Sequence, residues 1–258
     1  MDLSLPQAFL LLATNDKDGK PEVPVFALRT TVAGAVLAEL DLLGAIGLQG
    51  KHVKTTGATP QTDLQRELDL IRGKSRPHTP QWWVSALEGR PEVLRIYEGM
   101  VALGILEHVG EKRLGRFRAV RYPEKDHAPE EALLKKIHAV LTDAPDDAKV
   151  PETAVPESTV PEGTVPEGTV PENTASEGAQ APVQDSGTAD TVKPAGRMPN
   201  ARILALIALL QAAGLFGKQF PDADRVWADE LAKDYWPARA VEDELRLIRI
   251  AEEEAATL

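Results

Sequence analysis

ILALIALLQAAGLF, residues 203–216, decides how this chain is put together. Only Gln211 and Gly214 break its apolar run, so residues 199–215 read as a helix that is apolar on every side. Such a helix has no face to offer water and is expected to be buried. It is also too short to cross a bilayer, which takes about 20 apolar residues. The segment in front of it cannot build a core. From Val150 a five-residue unit opening Val-Pro-Glu recurs at Val155, Val160, Val165 and Val170, then decays into a Gly/Ala/Ser-rich stretch ending near Arg197. Proline at every fifth position removes a backbone donor and clashes with a helix or central strand. The expected organisation is a helical body over 1–148, a disordered Pro/Glu/Thr repeat insert over 149–197, and C-terminal helices over 198–258 that pack back on the body as part of the same domain. A spacer is the simplest role for the insert; a partner tether, or an acidic cover over a basic surface, is the alternative.

Without the insert about 210 residues remain, enough for one full core. The absence of cysteine excludes disulfides, thiolate nucleophiles and cysteine-ligated metal centres, and fits a reducing compartment. The formal charge of −11 is unevenly spread. The body to Ala148 has 19 basic and 21 acidic residues, the insert 3 and 8, and the remainder 7 and 11. Most of the acidity lies outside the body, so net charge says little about what the body binds. Residues 1–13 lack the basic start and cleavage site of a signal peptide, so a cytoplasmic protein is expected.

Along the body, Ser4 and Pro6 open a helix, and Asp16 to Gly19 form a turn. Thr31 to Leu43 reads as a second helix, with Val32, Val36, Leu37 and Leu40 inward and Gly34 allowing close approach. Ala45 to Leu48 and Val53 to Thr56 read as short paired strands. Thr62 is placed to cap a helix running to Ile71, Thr79-Pro80 opens one containing Trp82 and Trp83, and Pro91 starts the next. A hairpin follows, with strands near Leu106–Val109 and Phe117–Tyr122, so that residues 91–122 resemble a winged-helix unit. Glu130 to Leu141, Asp222 to Lys233 and residues 237–253 are the remaining helices. The fold class is therefore mainly α: a single globular helical domain with short strands and a protruding β-hairpin.

Lys112, Arg113, Arg116, Arg118 and Arg121 form the sharpest charge feature, with no acidic residue among them. Guanidinium groups on a protruding hairpin can hold phosphates by paired donors, whether from lipid, nucleic acid or an acidic partner; a merely solvated wing is the plain alternative. Neighbouring Trp82 and Trp83 cannot share one helix face, so at least one belongs to the core. The five histidines show no His-x-x-x-His or His-x-His spacing, and a metal site would need carboxylates brought in from distant segments. No Gly-x-Ser-x-Gly and no P-loop occurs, so neither an enzyme, nor a cofactor, nor a metal is expected.

The order of several segments resembles the Golgi phosphoprotein 3 family. These are residues 10–13 with the 16–19 turn, 33–40 with Gly44, 64–71, Trp83, Gly104 to Leu106, 114–117, 121–123 and 202–207. The resemblance implies a mostly helical single domain with a protruding hairpin. It also implies the function of eukaryotic members, which bind phosphatidylinositol 4-phosphate on the Golgi cytoplasmic face and act as adaptors retaining glycosyltransferases. The insert looks like that of a bacterial, actinobacterial-type member. Carried over by position, the headgroup tryptophan falls at Pro24, one arginine at Ala33, and a pair of arginines at Arg90 and Val93, with Arg95 as the substitute two residues on. The lipid site is thus degenerate, and loose attachment to anionic headgroups is expected through Arg90, Arg95, Arg113, Arg116 and Arg118. Leu114 and Phe117 are expected to touch membrane or a second copy. The implied protein is a peripheral adaptor on the inner face of the cell membrane, with a protein cargo and self-association through the hairpin. A winged-helix nucleic-acid binder and an oligomeric scaffold are the alternatives. Glu92 and Glu98 on the helix from Pro91 argue against nucleic acid.

Overall fold

The computed structural model describes residues 3–110, 120–142 and 201–256. Among these residues the chain is mainly helical, with one two-stranded antiparallel hairpin. The repeat insert and the hairpin residues 111–119, with Arg113, Leu114, Arg116, Phe117 and Arg118, lie outside the described residues.

Helix α1 (Leu5–Leu12) starts where Pro6 needs no donor, and Gln7 Oε1 accepts the Ser4 N–H at 3.0 Å. Helix α2 (Val25–Leu42) is the axis of the fold, buried on nearly every side from Ala27 to Leu40. It begins six residues before the expected Thr31. Pro24 sits at its N-cap and accepts the Leu28 N–H at 3.0 Å. Val25, Thr30 and Thr31 are weak helix formers, which hid this first stretch; burial of Ala27, Leu28, Thr30 and Thr31 overrides their propensity. The expected strand pair forms as β1 (Ile46–Gln49) and β2 (His52–Thr55), in register Ile46 to Thr55 and Gln49 to His52.

Thr62 does not cap a helix. Its hydroxyl accepts the Leu64 N–H at 3.2 Å in a turn, and α3 (Gln65–Arg72) starts afterwards. Thr79 does cap α4 (Pro80–Leu87), accepting the Trp82 N–H at 3.3 Å. Trp83 is buried, whereas Trp82 is half-exposed and stacks on His78, with ring centroids 3.7 Å apart. Helices α5 (Arg90–Ala102) and α6 (Ala128–Thr142) complete the part before the insert. After it come α7 (Ala201–Ala212), the single turn α8 (Phe216–Gln219), α9 (Arg225–Ala232) and α10 (Trp236–Ala256). Asp224 caps α9 by accepting from the Val226 and Trp227 N–H groups.

Helix α10 packs along α2 and α4, while α7 packs on α1, α2 and α9. Gly34 permits the first of these contacts. A Cβ there would sit 2.1 Å from the Val241 methyl of α10. From α7, Arg202 forms a two-pronged ion pair with Glu39 of α2, at 2.5 and 2.8 Å, and also donates to the Leu3 carbonyl at 3.3 Å. The same carboxylate accepts the Leu5 N–H at 2.8 Å. Glu39 is 5 % exposed, and these donors replace the water it has given up.

Two residues along α2, Asp41 is largely buried and accepts from the Trp236 indole N–H. Burial raises its carboxyl to about 6, and the indole donor opposes that rise. Burial also pushes up the Tyr235 phenol, assisted by the charges of Asp41 and Glu39.

Arg202→Met strands the Glu39 carboxylate and should lower stability by about 3 kcal/mol. Pairing it with Glu39→Leu should recover most of that loss, as read by urea unfolding. For Asp41, the native chain holds more protons than the unfolded chain between about pH 4 and pH 6. Stability should therefore fall as pH rises through that window. Asp41→Asn should gain about 1–2 kcal/mol at pH 7, and the gain should vanish below pH 4 in thermal melts across pH.

Candidate anion-binding surface

The hairpin singled out in the sequence has its stem within the described residues. It leaves α5 through Ile105, and Leu106 pairs with Glu124 and Val109 with Arg121, both antiparallel. Strand alternation puts Tyr122 inward and Arg121 outward. The Tyr122 ring lies flat on Tyr97 of α5, centroids 4.4 Å apart and planes within 3°. Its hydroxyl donates to Glu98 Oε1 at 2.8 Å, and His108 Nδ1 contacts the same oxygen at 2.8 Å. Tyr97 hydrogen-bonds Thr14 Oγ1 at 2.7 Å. Burial pushes the Tyr97 phenol up to about 12. Burial, with the Glu98 carboxylate beside it, pushes Tyr122 higher still.

The turn after α1 clamps this stem from the other side. Gly19 accepts the Tyr122 N–H at 3.3 Å, and Asp16 accepts the Glu124 N–H at 2.9 Å. Gly19 has φ +63°, and a Cβ on it would lie 2.4 Å from the backbone nitrogens of Tyr122 and Pro123. Only glycine lets the two backbones approach this closely.

Arg90 and Arg95 separate. Five residues turn an α-helix by about 140° past a full circle, so the two project from different faces of α5. Arg90 is exposed, and its charge acts on the Tyr122 phenol at the stem. Arg95 is half-buried against α3, where Nη2 meets Glu67 Oε1 at 2.5 Å and Nη1 donates to the Asp63 carbonyl at 3.1 Å. Glu67 is buried, so this pair fastens α5 to α3. Arg121 is exposed, and its charge helps hold Asp18 below the usual carboxylate range, after the larger effect of the Lys20 hydrogen bond. Arg90 and Arg121 are both exposed, Arg90 with its charge felt at Tyr122 and Arg121 with its charge felt at Asp18.

Two further groupings escaped the sequence reading because their residues come from separate segments. A groove of about 360 Å³ between β2, α3 and α4 is lined by Lys54, Arg72, Lys74, Arg76 and Trp83. Lys74 reaches over the Trp82 ring, 5.2 Å from its centroid, and Arg72 donates to the Ala58 carbonyl at 2.6 Å. Asp16, Glu124 and His127 meet below the hairpin stem, with one ligand atom from each within 4.8 Å of the others. The i, i+3 pairing of Glu124 with His127 was the one local signal. Glu130 adjoins them; burial, then the charges of Asp16 and Glu124, raises its carboxyl to about 8.

The Golgi phosphoprotein 3 (GPP34) family profile matches residues 5–248. No curated protein sequence matches the chain. Among the described residues no helix is long and apolar enough to cross a membrane.

Gly19→Ala should force the turn off the stem, costing about 2–3 kcal/mol through left-handed strain and backbone clash. Near-ultraviolet circular dichroism should show loss of the Tyr97–Tyr122 stack even where the far-ultraviolet helix signal survives.

Proposed function

Because the chain belongs to the Golgi phosphoprotein 3 family, a non-catalytic adaptor fold, we propose that it acts as a peripheral adaptor that docks on anionic lipid headgroups. In this reading the headgroups are held by Arg90 and by the hairpin arginines Arg113, Arg116 and Arg118, with Arg121 at the stem. Arg95 contributes to the α5–α3 contact instead. Leu114 and Phe117 enter the membrane or meet a second copy. The observation that carries the reading is the exposed Arg90 next to a hairpin stem braced by the Tyr97–Tyr122 stack and the Gly19 turn. A braced stem presents the hairpin cations at little ordering cost.

With Pro24 and Ala33 where the family's headgroup tryptophan and arginine fall, the reading is of charge-driven attachment, not selection of one phosphoinositide. Each basic residue near an anionic surface contributes about 1 kcal/mol, so several together give a weak, salt-sensitive association. The bound face would be the cytoplasmic leaflet, and a protein cargo would dock elsewhere on the helical body. DNA is disfavoured by Glu98, exposed on the same helix as Arg90.

Sedimentation with phosphatidylcholine vesicles, with and without phosphatidylserine or phosphatidylinositol 4-phosphate, tests this. Binding should require the anionic lipid and weaken from 50 to 500 mM salt. Arg90→Ala and Arg116→Ala should each cost about fivefold. Lys54→Ala with Arg76→Ala, in the groove between β2, α3 and α4, should leave binding unchanged. Absence of binding at both salt concentrations, or loss only in the groove variant, rejects the assignment.

A further inference from the structure

Asp16 belongs to the turn after α1, whereas Glu124, His127 and Glu130 lie between the hairpin exit and the first turns of α6. Over a hundred residues of chain separate them, and the backbone bond from the Glu124 N–H to the Asp16 carbonyl brings them together. Carboxylates gathered at a surface are common and mean nothing alone. Here one of them is sealed from solvent. The Glu124 side chain is only 1 % exposed; its Oε2 contacts His127 Nδ1, and its Oε1 is buried with no amide, hydroxyl or cationic donor, only the neighbouring Glu130 carboxyl. Glu130, itself 9 % exposed, sets its carboxyl within hydrogen-bonding reach of both Glu124 and Asp16. Three carboxyl groups therefore converge with one imidazole to answer them. Carboxyl groups facing one another away from solvent are costly to ionise together unless a shared proton or a cation answers them.

We propose that Asp16, Glu124 and His127, with Glu130 alongside, bind one divalent metal ion of the zinc or manganese class. The separations suit such an ion. Two ligands about 2.1 Å from one metal lie at most about 4.2 Å apart, so atoms already within 4.8 Å need only small side-chain rotations. The donor set points to the class of ion. Carboxylates alone favour magnesium or calcium, but an imidazole nitrogen added to them favours zinc or manganese. His127 is mostly exposed, which leaves the metal a path in from solvent. Bound there, the ion ties the turn after α1 to the segment following the hairpin and so braces the stem from below. The site does not depend on the lipid reading, since none of its four residues belongs to the proposed lipid-binding set.

Isothermal titration of the chelator-treated full chain with zinc, manganese and calcium chlorides tests the assignment. One zinc or manganese ion per chain should bind, more tightly than calcium, and should raise the melting temperature. Glu124→Gln and His127→Ala should each weaken that binding at least about tenfold and abolish the thermal shift. His52→Ala, an exposed histidine on β2, should change neither. Asp16→Asn provides the same readout if Glu124→Gln fails to fold. Binding that persists undiminished in the Glu124 and His127 variants marks adventitious surface binding and overturns the proposal. So does no binding to the wild-type chain, which would leave the cluster as carboxyl groups sharing protons. Neither result bears on vesicle sedimentation.

Discussion

A single carboxylate on α2 holds the two ends of this chain in register. Glu39 takes both prongs of Arg202 from α7 and the first N–H of α1, so three helices from opposite sides of the insert meet on one side chain. Hydrophobic burial alone would not choose this arrangement. Helix α7 is apolar on nearly every side and α2 is buried almost throughout, so hydrophobicity by itself marks no single face on either. A buried charge cannot slide. It is best satisfied where its donors are, and here those donors come from α1 and α7 together. Gly34 acts on the same helix by shape, since the Val241 methyl occupies the space a side chain would fill.

The hairpin stem solves a different problem. Hairpins that project from a domain are marginal by themselves. Here the stem is sandwiched between Tyr97 of α5 and the turn around Gly19, and Tyr122 links the two by stacking on one while its N–H bonds the other. Polar groups complete the seal, with Thr14 and Glu98 meeting the two phenols. Whatever the outer hairpin contacts, its base is held by the core.

Much of the helical layout could be read from local pattern. The apolar run at 203–216, the paired strands at 46–55, the Thr79 cap and the burial of at least one of Trp82 and Trp83 all follow from spacing and composition. What escaped was non-local. The start of α2 depends on burial that Val25, Thr30 and Thr31 do not advertise. The role of Arg95 is set by Glu67, and spacing within α5 carries no information about α3. The histidines were judged by their intervals to one another, whereas His127 finds its partners in Glu124 one turn away and Asp16 across the fold. Arg90, by contrast, could be placed from its position at the opening of α5 beside Pro91.

None of the three tyrosines of the chain is an ordinary surface phenol. Tyr97, Tyr122 and Tyr235 each have their ionisation pushed upward, by burial first. A free phenol is half ionised near pH 10. The folded chain should therefore stay transparent at phenolate wavelengths in alkali that would colour a peptide mixture of the same composition. Colour that does develop should then report the opening of the tertiary structure instead of the titration of its surface.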